Sequence, residues 1–166
     1  MKRRDPRQRQ RQHIARILQP ATDDPYFALA KPNGSARCPD CGVVFLRGRW
    51  QWAPAPARGK EQVCPACRRV RERNPAGYVR LSGAFFTQHR DEILALARNT
   101  EAREKQAHPM ERIMQMRELA EGVEITTTGL HLARRIGDAV ASAYRGNLSV
   151  RHAPDQYLVR IAWSRA

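Results

Sequence analysis

The sequence predicts an α+β protein: a four-cysteine zinc ribbon followed by a helix and a small ββαββ domain, preceded by a disordered basic N-terminal arm. Three observations lead to this prediction. The only four cysteines form two Cys-Pro-x-Cys turns. The last third of the chain alternates apolar and polar residues on both sides of one amphipathic helix, and arginines crowd the first 20 residues. These features divide the chain into the five segments that follow.

Residues 1–20 form the basic arm, in which glutamines alternate with arginines and little could be buried. Such a segment is expected to order only against phosphates, although a solubilising tail is the alternative. The arm residues that we predict to bind nucleic acid are Arg3, Arg4, Arg7, Arg9 and Arg11. Residues 21–37 contain Pro25, Pro32, Asn33 and Gly34 and should form an extended linker.

The predicted zinc ribbon covers residues 38–73. Each Cys-Pro-x-Cys turn points two sulfur atoms at one small volume, and two such turns supply the four thiolates that a structural zinc ion prefers. The predicted ligands are Cys38, Cys41, Cys64 and Cys67. Two alternatives are less favoured. Two disulfides would need an oxidising compartment, and a redox-active Cys-x-x-Cys pair normally occurs without a second pair at ribbon spacing. Rubredoxin-like iron is the strongest rival, since iron also accepts four thiolates.

Residues 43–52 are predicted to form one long ribbon strand, with Trp50 and Trp52 on one face and Arg47 and Arg49 on the other. Bases of single-stranded or looped RNA could stack on the indoles while the arginines hold phosphates. Two tryptophans that fill a small core are an equally good interpretation. A short helix should follow the last cysteine, so that Arg68, Arg69 and Arg71 form a rigid phosphate-binding patch.

Residues 74–109 are expected to be a connecting segment and a helix: a short extended piece at 78–81, then a helix capped by Ser82 that runs to about residue 107. Residues 110–166 carry the predicted ββαββ domain. Alternation predicts a hairpin over 114–128 and strands around 148–150 and 157–163, and an apolar stripe at helical spacing predicts a helix over 131–145.

The charge of the chain indicates its partner. Lys and Arg number 30 against 16 acidic residues, giving a net charge of +14 and a pI of about 10.9. Such a surplus favours a polyanion, and an anionic membrane is a weaker alternative. The chain begins with basic residues rather than an apolar signal, and no stretch approaches the ~20 apolar residues of a spanning helix. We therefore expect a cytoplasmic protein that binds RNA.

The sequence offers no catalytic constellation. The five histidines are scattered, and the pattern of a phosphate-binding P-loop fails because Pro54 stands where its first glycine belongs. No set of nucleophile and base can be proposed from residue order alone. We therefore expect a binding protein with no catalytic residues rather than an enzyme.

Two blocks of sequence carry a resemblance. The two Cys-Pro-x-Cys turns within 38–67 and the segment 122–163, which begins Gly-Val-Glu-Ile-Thr-Thr-Thr-Gly-Leu-His, resemble a small bacterial zinc-ribbon family. That family looks like a reduced relative of the archaeal and eukaryotic adaptor that exports large ribosomal subunits, named for the third nonsense-mediated-decay factor. The adaptor family has more cysteine pairs and is longer. The resemblance implies ribosome association but not nuclear export.

These observations lead to one functional hypothesis and its rivals. The chain is expected to be a zinc-ribbon protein that binds ribosomal RNA or a ribosomal subunit, in assembly, quality control or dormancy. A DNA-binding zinc-ribbon regulator is the first alternative, and a protein-interaction scaffold is the second. An iron electron carrier would be coloured.

Overall fold

The computed structural model describes residues 24–166. In this range the chain forms five helices and two β-sheets, which confirms the predicted α+β class. The basic arm and the first residues of the linker lie outside the described residues. No helix within 24–166 is both long enough and apolar enough to cross a membrane.

The smaller sheet surrounds the cysteines and has four short strands. Helix α1 (Pro25–Leu29) precedes strands β1 (Ala36–Arg37), β2 (Val44–Leu46), β3 (Arg49–Gln51) and β4 (Lys60–Glu61), and helix α2 (Pro65–Glu72) follows. The strand order is β3-β2-β1-β4, with β1 antiparallel to β2 and parallel to β4. Because these strands contain only two or three residues each, their ladder bonds alone cannot hold this part of the chain together.

The single long strand predicted over 43–52 is wrong, because the chain reverses in its middle. Strands β2 and β3 form a tight hairpin whose two turn residues, Arg47 and Gly48, have φ values of +51° and +83°. Positive φ at both positions is the geometry of a turn that matches the twist of paired strands, and Gly48 adopts it without steric cost. The hairpin places Phe45 directly opposite Trp50.

The larger sheet has five strands. The strands of this sheet and the helices between them are, in chain order, β5 (Gly77–Ser82), α3 (Ala84–Gln88), α4 (Arg90–Ala107), β6 (Ile113–Leu119), β7 (Gly122–Thr127), α5 (Leu130–Tyr144), β8 (Asn147–His152) and β9 (Val159–Ser164). Strands β6 and β7 pair as one antiparallel hairpin and β8 and β9 as another, with α5 between them in the chain. The predicted hairpin, the two predicted later strands and the predicted late helix are therefore present.

The sheet differs from the predicted ββαββ unit in its centre. Strand β5, expected to belong to the connecting segment, lies between β7 and β9 and gives the order β6-β7-β5-β9-β8. It is antiparallel to β7 and parallel to β9. Its side chains Val79 and Leu81 are fully buried, and its backbone pairs with a strand along each edge. The predicted helix from Ser82 is also divided, into α3 and α4, and Gly83 rather than Ser82 precedes it.

Helices α4 and α5 pack on one face of the five-stranded sheet. The core between them contains Val79, Ile125, Ile136, Ile161 and Trp163 among its buried side chains. Helix α5 comes close to the sheet at Gly137, where an added Cβ would lie 2.6 Å from a methyl group of Ile161. This core contains none of the four cysteines, and so the larger sheet has a source of stability separate from the cysteine cluster.

Candidate metal centre

The first cysteine pair lies in the turn between β1 and β2. The backbone N–H of Cys38 donates to the carbonyl of Val43 at 2.8 Å, and that of Gly42 donates to the carbonyl of Cys38 at 2.9 Å. Gly42 has a φ of +78°, which lets the chain turn sharply just after Cys41. The turn therefore holds both sulfur atoms on one side of the backbone.

The second pair lies at the start of α2. Cys64 is the N-cap residue, Pro65 begins the helix, and the Cys64 sulfur accepts a hydrogen bond from the Cys67 N–H at 3.4 Å. Proline is favoured at this first helical position because its missing N–H would have no helical partner there. The N–H of Cys64 also donates to the Cys38 sulfur at 3.4 Å, which joins the two pairs.

All four sulfur atoms lie within 4.8 Å of one another. The distance between the sulfurs of Cys41 and Cys64 is 3.8 Å. A tetrahedral site with metal–sulfur bonds of about 2.3 Å has sulfur–sulfur edges of about 3.8 Å, so the cluster has the size that a metal ion needs. None of the four cysteines forms a disulfide bond. The structure thus assembles the four predicted ligands into one metal-binding cluster with no other side chain required.

Arg112, which precedes β6, reaches this cluster from the five-stranded sheet. Its two terminal nitrogens donate to the sulfurs of Cys67 and Cys41, each at 3.2 Å. Its Nε donates to the carbonyl of Pro109 at 2.8 Å, and the residue is only 8% exposed. Burial acts to lower the pKa of Arg112, but hydrogen bonding to Cys41 and the nearby sulfur charges raise it, so the guanidinium stays charged.

The position of Arg112 is fixed by the end of strand β7. Its N–H donates to the hydroxyl of Thr128 at 2.9 Å, and the N–H of Thr128 donates back to the carbonyl of Arg112 at 2.9 Å. The same hydroxyl donates to the carbonyl of Met110 at 2.6 Å. Sequence reasoning missed Arg112 because it is one arginine among many and lies 45 residues after Cys67. It connects the metal centre to the larger sheet.

Arg69 does not belong to a phosphate-binding surface, and its prediction as a nucleic-acid contact is wrong. It is 3% exposed and forms an ion pair with Asp24 at 2.6 Å. Its guanidinium also lies over the ring of Tyr26, 4.1 Å from the centroid. These contacts attach α1 to α2. Helix α2 turns the side that carries Arg69 toward α1, so this arginine is buried while Arg71 is exposed.

The two tryptophans of the predicted recognition face have different environments. Trp50 is 7% exposed and packs edge-on against Phe45, with 5.4 Å between ring centroids, so it belongs to the small core. Trp52 is 42% exposed, and its indole N–H donates to the carbonyl of Lys105 in α4 at 2.8 Å. Trp52 lines an open groove of about 910 Å³ together with Arg49 and Lys31.

The other predicted contact residues remain at or near the surface. Arg47 and Arg49 are exposed at the tip of the β2–β3 hairpin, and Arg68 is half-buried. Arg71 is exposed, but it forms an ion pair with Asp40 at 2.6 Å. The five arm arginines predicted as contacts lie outside the described residues.

Comparisons with known proteins add no relative. No protein-family model matches the chain, and neither a curated protein nor a solved structure matches it. The resemblance to the ribosomal export adaptor therefore stays a prediction from the sequence.

Proposed function

We propose that this chain is a cytoplasmic zinc-ribbon protein that binds RNA, with ribosomal RNA or a ribosomal subunit as its partner, and that it acts by binding rather than by catalysis. The observation that carries the proposal is the net charge of +14 on a chain whose four cysteines form one closed cluster. Four protein thiolates occupy all four coordination positions of a tetrahedral metal ion. A metal site with no open position is structural rather than catalytic.

Zinc is the metal that we propose for the cluster. Cys38, Cys41, Cys64 and Cys67 would hold it, and it would supply cross-linking of the chain rather than chemistry. Zinc has no redox activity and takes tetrahedral thiolate sites readily. Elemental analysis of protein purified without added metal should give one zinc per chain. One iron per chain, with visible absorption, would favour the electron-carrier alternative.

The groove beside the metal centre supports an RNA contact. The hydrogen bond to Lys105 holds Trp52 at the groove wall while its ring remains partly exposed. The cations of Arg49 and Lys31 line the same groove. A nucleobase could stack on an indole held in this way while the two cations contact the backbone phosphates. Such a site takes a looped or single-stranded base, because bases in a duplex are already stacked.

The proposed RNA binding should be strongly salt-dependent. Neutralising Z phosphates on a single strand gives a slope of roughly −0.7Z, so about six contacts should lower affinity ~10²-fold or more between 50 and 200 mM salt. Fluorescence anisotropy with a labelled single-stranded RNA across a salt series measures this slope. Deleting residues 2–16 should reduce the magnitude of this slope. An unchanged slope would show that the arm does not contact the RNA.

Competition distinguishes RNA from DNA. A looped ribosomal RNA fragment should displace the labelled RNA at lower concentration than a duplex DNA of equal length. Helix α5 buries Leu132, Ile136 and Val140 against the sheet, so few of its side chains are free to contact bases in a DNA groove. Sequence-dependent preference for duplex DNA would instead support a regulator. Co-sedimentation with separated ribosomal subunits then tests the ribosomal partner directly.

A further inference from the structure

The five-stranded sheet has a covered face and an open face. Side chains at odd positions of β5, such as Val79 and Leu81, are buried under the helices. Side chains at even positions point the other way and are exposed or half-exposed, as Tyr78 and Arg80 are. The same alternation occurs along β9, where Ile161 is buried and Arg160 is exposed. We call this second surface the open face.

The strand register brings arginines from four strands onto the open face. In one row across the sheet, Tyr78 of β5 is paired with Arg160 of β9, which is paired with Arg151 of β8. In the neighbouring row, Arg80 of β5 is paired with Glu124 of β7, which is paired with Arg117 of β6. All four arginines are exposed. They are isolated in the sequence, and only the register collects them.

The open face carries a net positive charge. Glu124 is the one acidic residue among the described strand positions that face this way, and its carboxylate accepts from Arg117 at 2.8 Å. Arg151 and Arg160 have no acidic neighbour in the register, and Arg80 lies beside Glu124, whose carboxylate accepts from Arg117. The remaining positions are small or uncharged, including Ser149 and Ala162. A polyanion is therefore the partner that the charge favours.

An aromatic ring lies at the centre of this surface. Tyr78 is on the middle strand, and the guanidinium of Arg160 lies over its ring, 4.6 Å from the centroid. Aromatic rings and planar guanidinium groups both stack on nucleobases. A central stacking pair with flanking arginines is an arrangement that holds a base and its neighbouring phosphates together. A duplex would offer the phosphates but not the base face.

We propose that the open face of the five-stranded sheet binds a single-stranded segment of RNA, with a base stacked at Tyr78 and Arg160 and phosphates held by Arg80 and Arg151. The inference rests on the proposed function for the choice of RNA as partner. A second copy of the chain is a poor occupant, since two such faces would repel each other. The N-terminal arm is equally basic and is a poor occupant for the same reason.

The test uses the full-length protein with zinc bound and a fluorescein-labelled oligouridylate RNA. The variant Arg80→Gln/Arg151→Gln/Arg160→Gln removes three charges from the open face. The matched control, Arg98→Gln/Arg103→Gln/Arg134→Gln, removes three charges from exposed positions on α4 and α5. The open-face variant should bind at least about 10-fold more weakly at 100 mM salt, with a salt slope smaller by about 2, and the control should keep most of the slope.

Tyr78 provides a second, charge-neutral test. Tyr78→Leu should weaken binding by about 5- to 150-fold, the loss of one stacked base, whereas Tyr78→Phe keeps the ring and should bind as the wild type does. Circular dichroism melts verify that each variant is folded. Equal binding by the open-face and control variants, with no effect of Tyr78→Leu, overturns the inference. The proposed function then stands on the ribbon and the arm, and it fails if the wild type binds no RNA or prefers duplex DNA in a sequence-dependent way.

Discussion

Removal of the metal is expected to unfold the part of the chain around the four cysteines while the five-stranded sheet stays folded. The buried cluster of the smaller part has eight residues, and three of these are the cysteines Cys38, Cys64 and Cys67. The larger core has 15 buried residues and no cysteine. Free energy of metal binding in such small sites is largely free energy of folding, about 10–16 kcal/mol in zinc-finger peptides. Within residues 24–166 the smaller part has no second buried apolar cluster of its own.

Amide hydrogen exchange measures this prediction residue by residue. After chelation, or in the variant Cys64→Ser, protection should be lost over 36–51 and kept over 77–82, 122–127 and 159–164. Ser149→Cys is a useful control, since it alters sulfur content at an exposed strand position away from the cluster. Loss of protection in both regions together would contradict the prediction and would indicate that the two parts fold as one unit.

Replacing Arg112 with methionine is expected to lower metal affinity by about 10- to 100-fold, the usual effect of removing a residue that supports the ligands. The guanidinium donates to two sulfurs and places one positive charge beside four thiolates, which together with a divalent ion carry a net charge of −2. Methionine fills a similar volume but supplies neither donor nor charge. Lysine keeps the charge without the planar pair of donors. The metal affinity of Arg112→Lys should therefore lie between those of the wild type and Arg112→Met.

Competition with a chromophoric chelator gives the dissociation constants for the Arg112 series. Arg117→Met is the matched control, because Arg117 is an exposed arginine in β6 whose partner is Glu124. It should leave metal affinity unchanged. If Arg112→Met lowers the thermal stability of the metal-free protein but not its metal affinity, then Arg112 acts through packing alone, and its role at the metal centre is wrong.

Local patterns in the sequence determined several features of this protein. Two Cys-Pro-x-Cys turns were enough to predict the cluster of Cys38, Cys41, Cys64 and Cys67, because each turn fixes the direction of its own two sulfurs. Alternation of period two predicted the β6–β7 hairpin and the two later strands of the larger sheet, and a helical stripe placed α5 to within a residue at each end. Each of these features depends on residues that are close together in the chain.

The tertiary structure decided the features that depend on distant residues. The sequence around β5 predicts only a short connecting strand. Its central place in the sheet depends on pairing with β7 on one edge and β9 on the other. Arg69 and Arg71 are two residues apart, yet one is buried against Asp24 and the other is exposed, because the position of α1 selects which side of α2 is covered. Arg112 faces the metal cluster only because Thr128 holds its backbone at the end of β7. Periodicity shows which side of an element is apolar, but the partner that covers it is determined by packing across the whole fold.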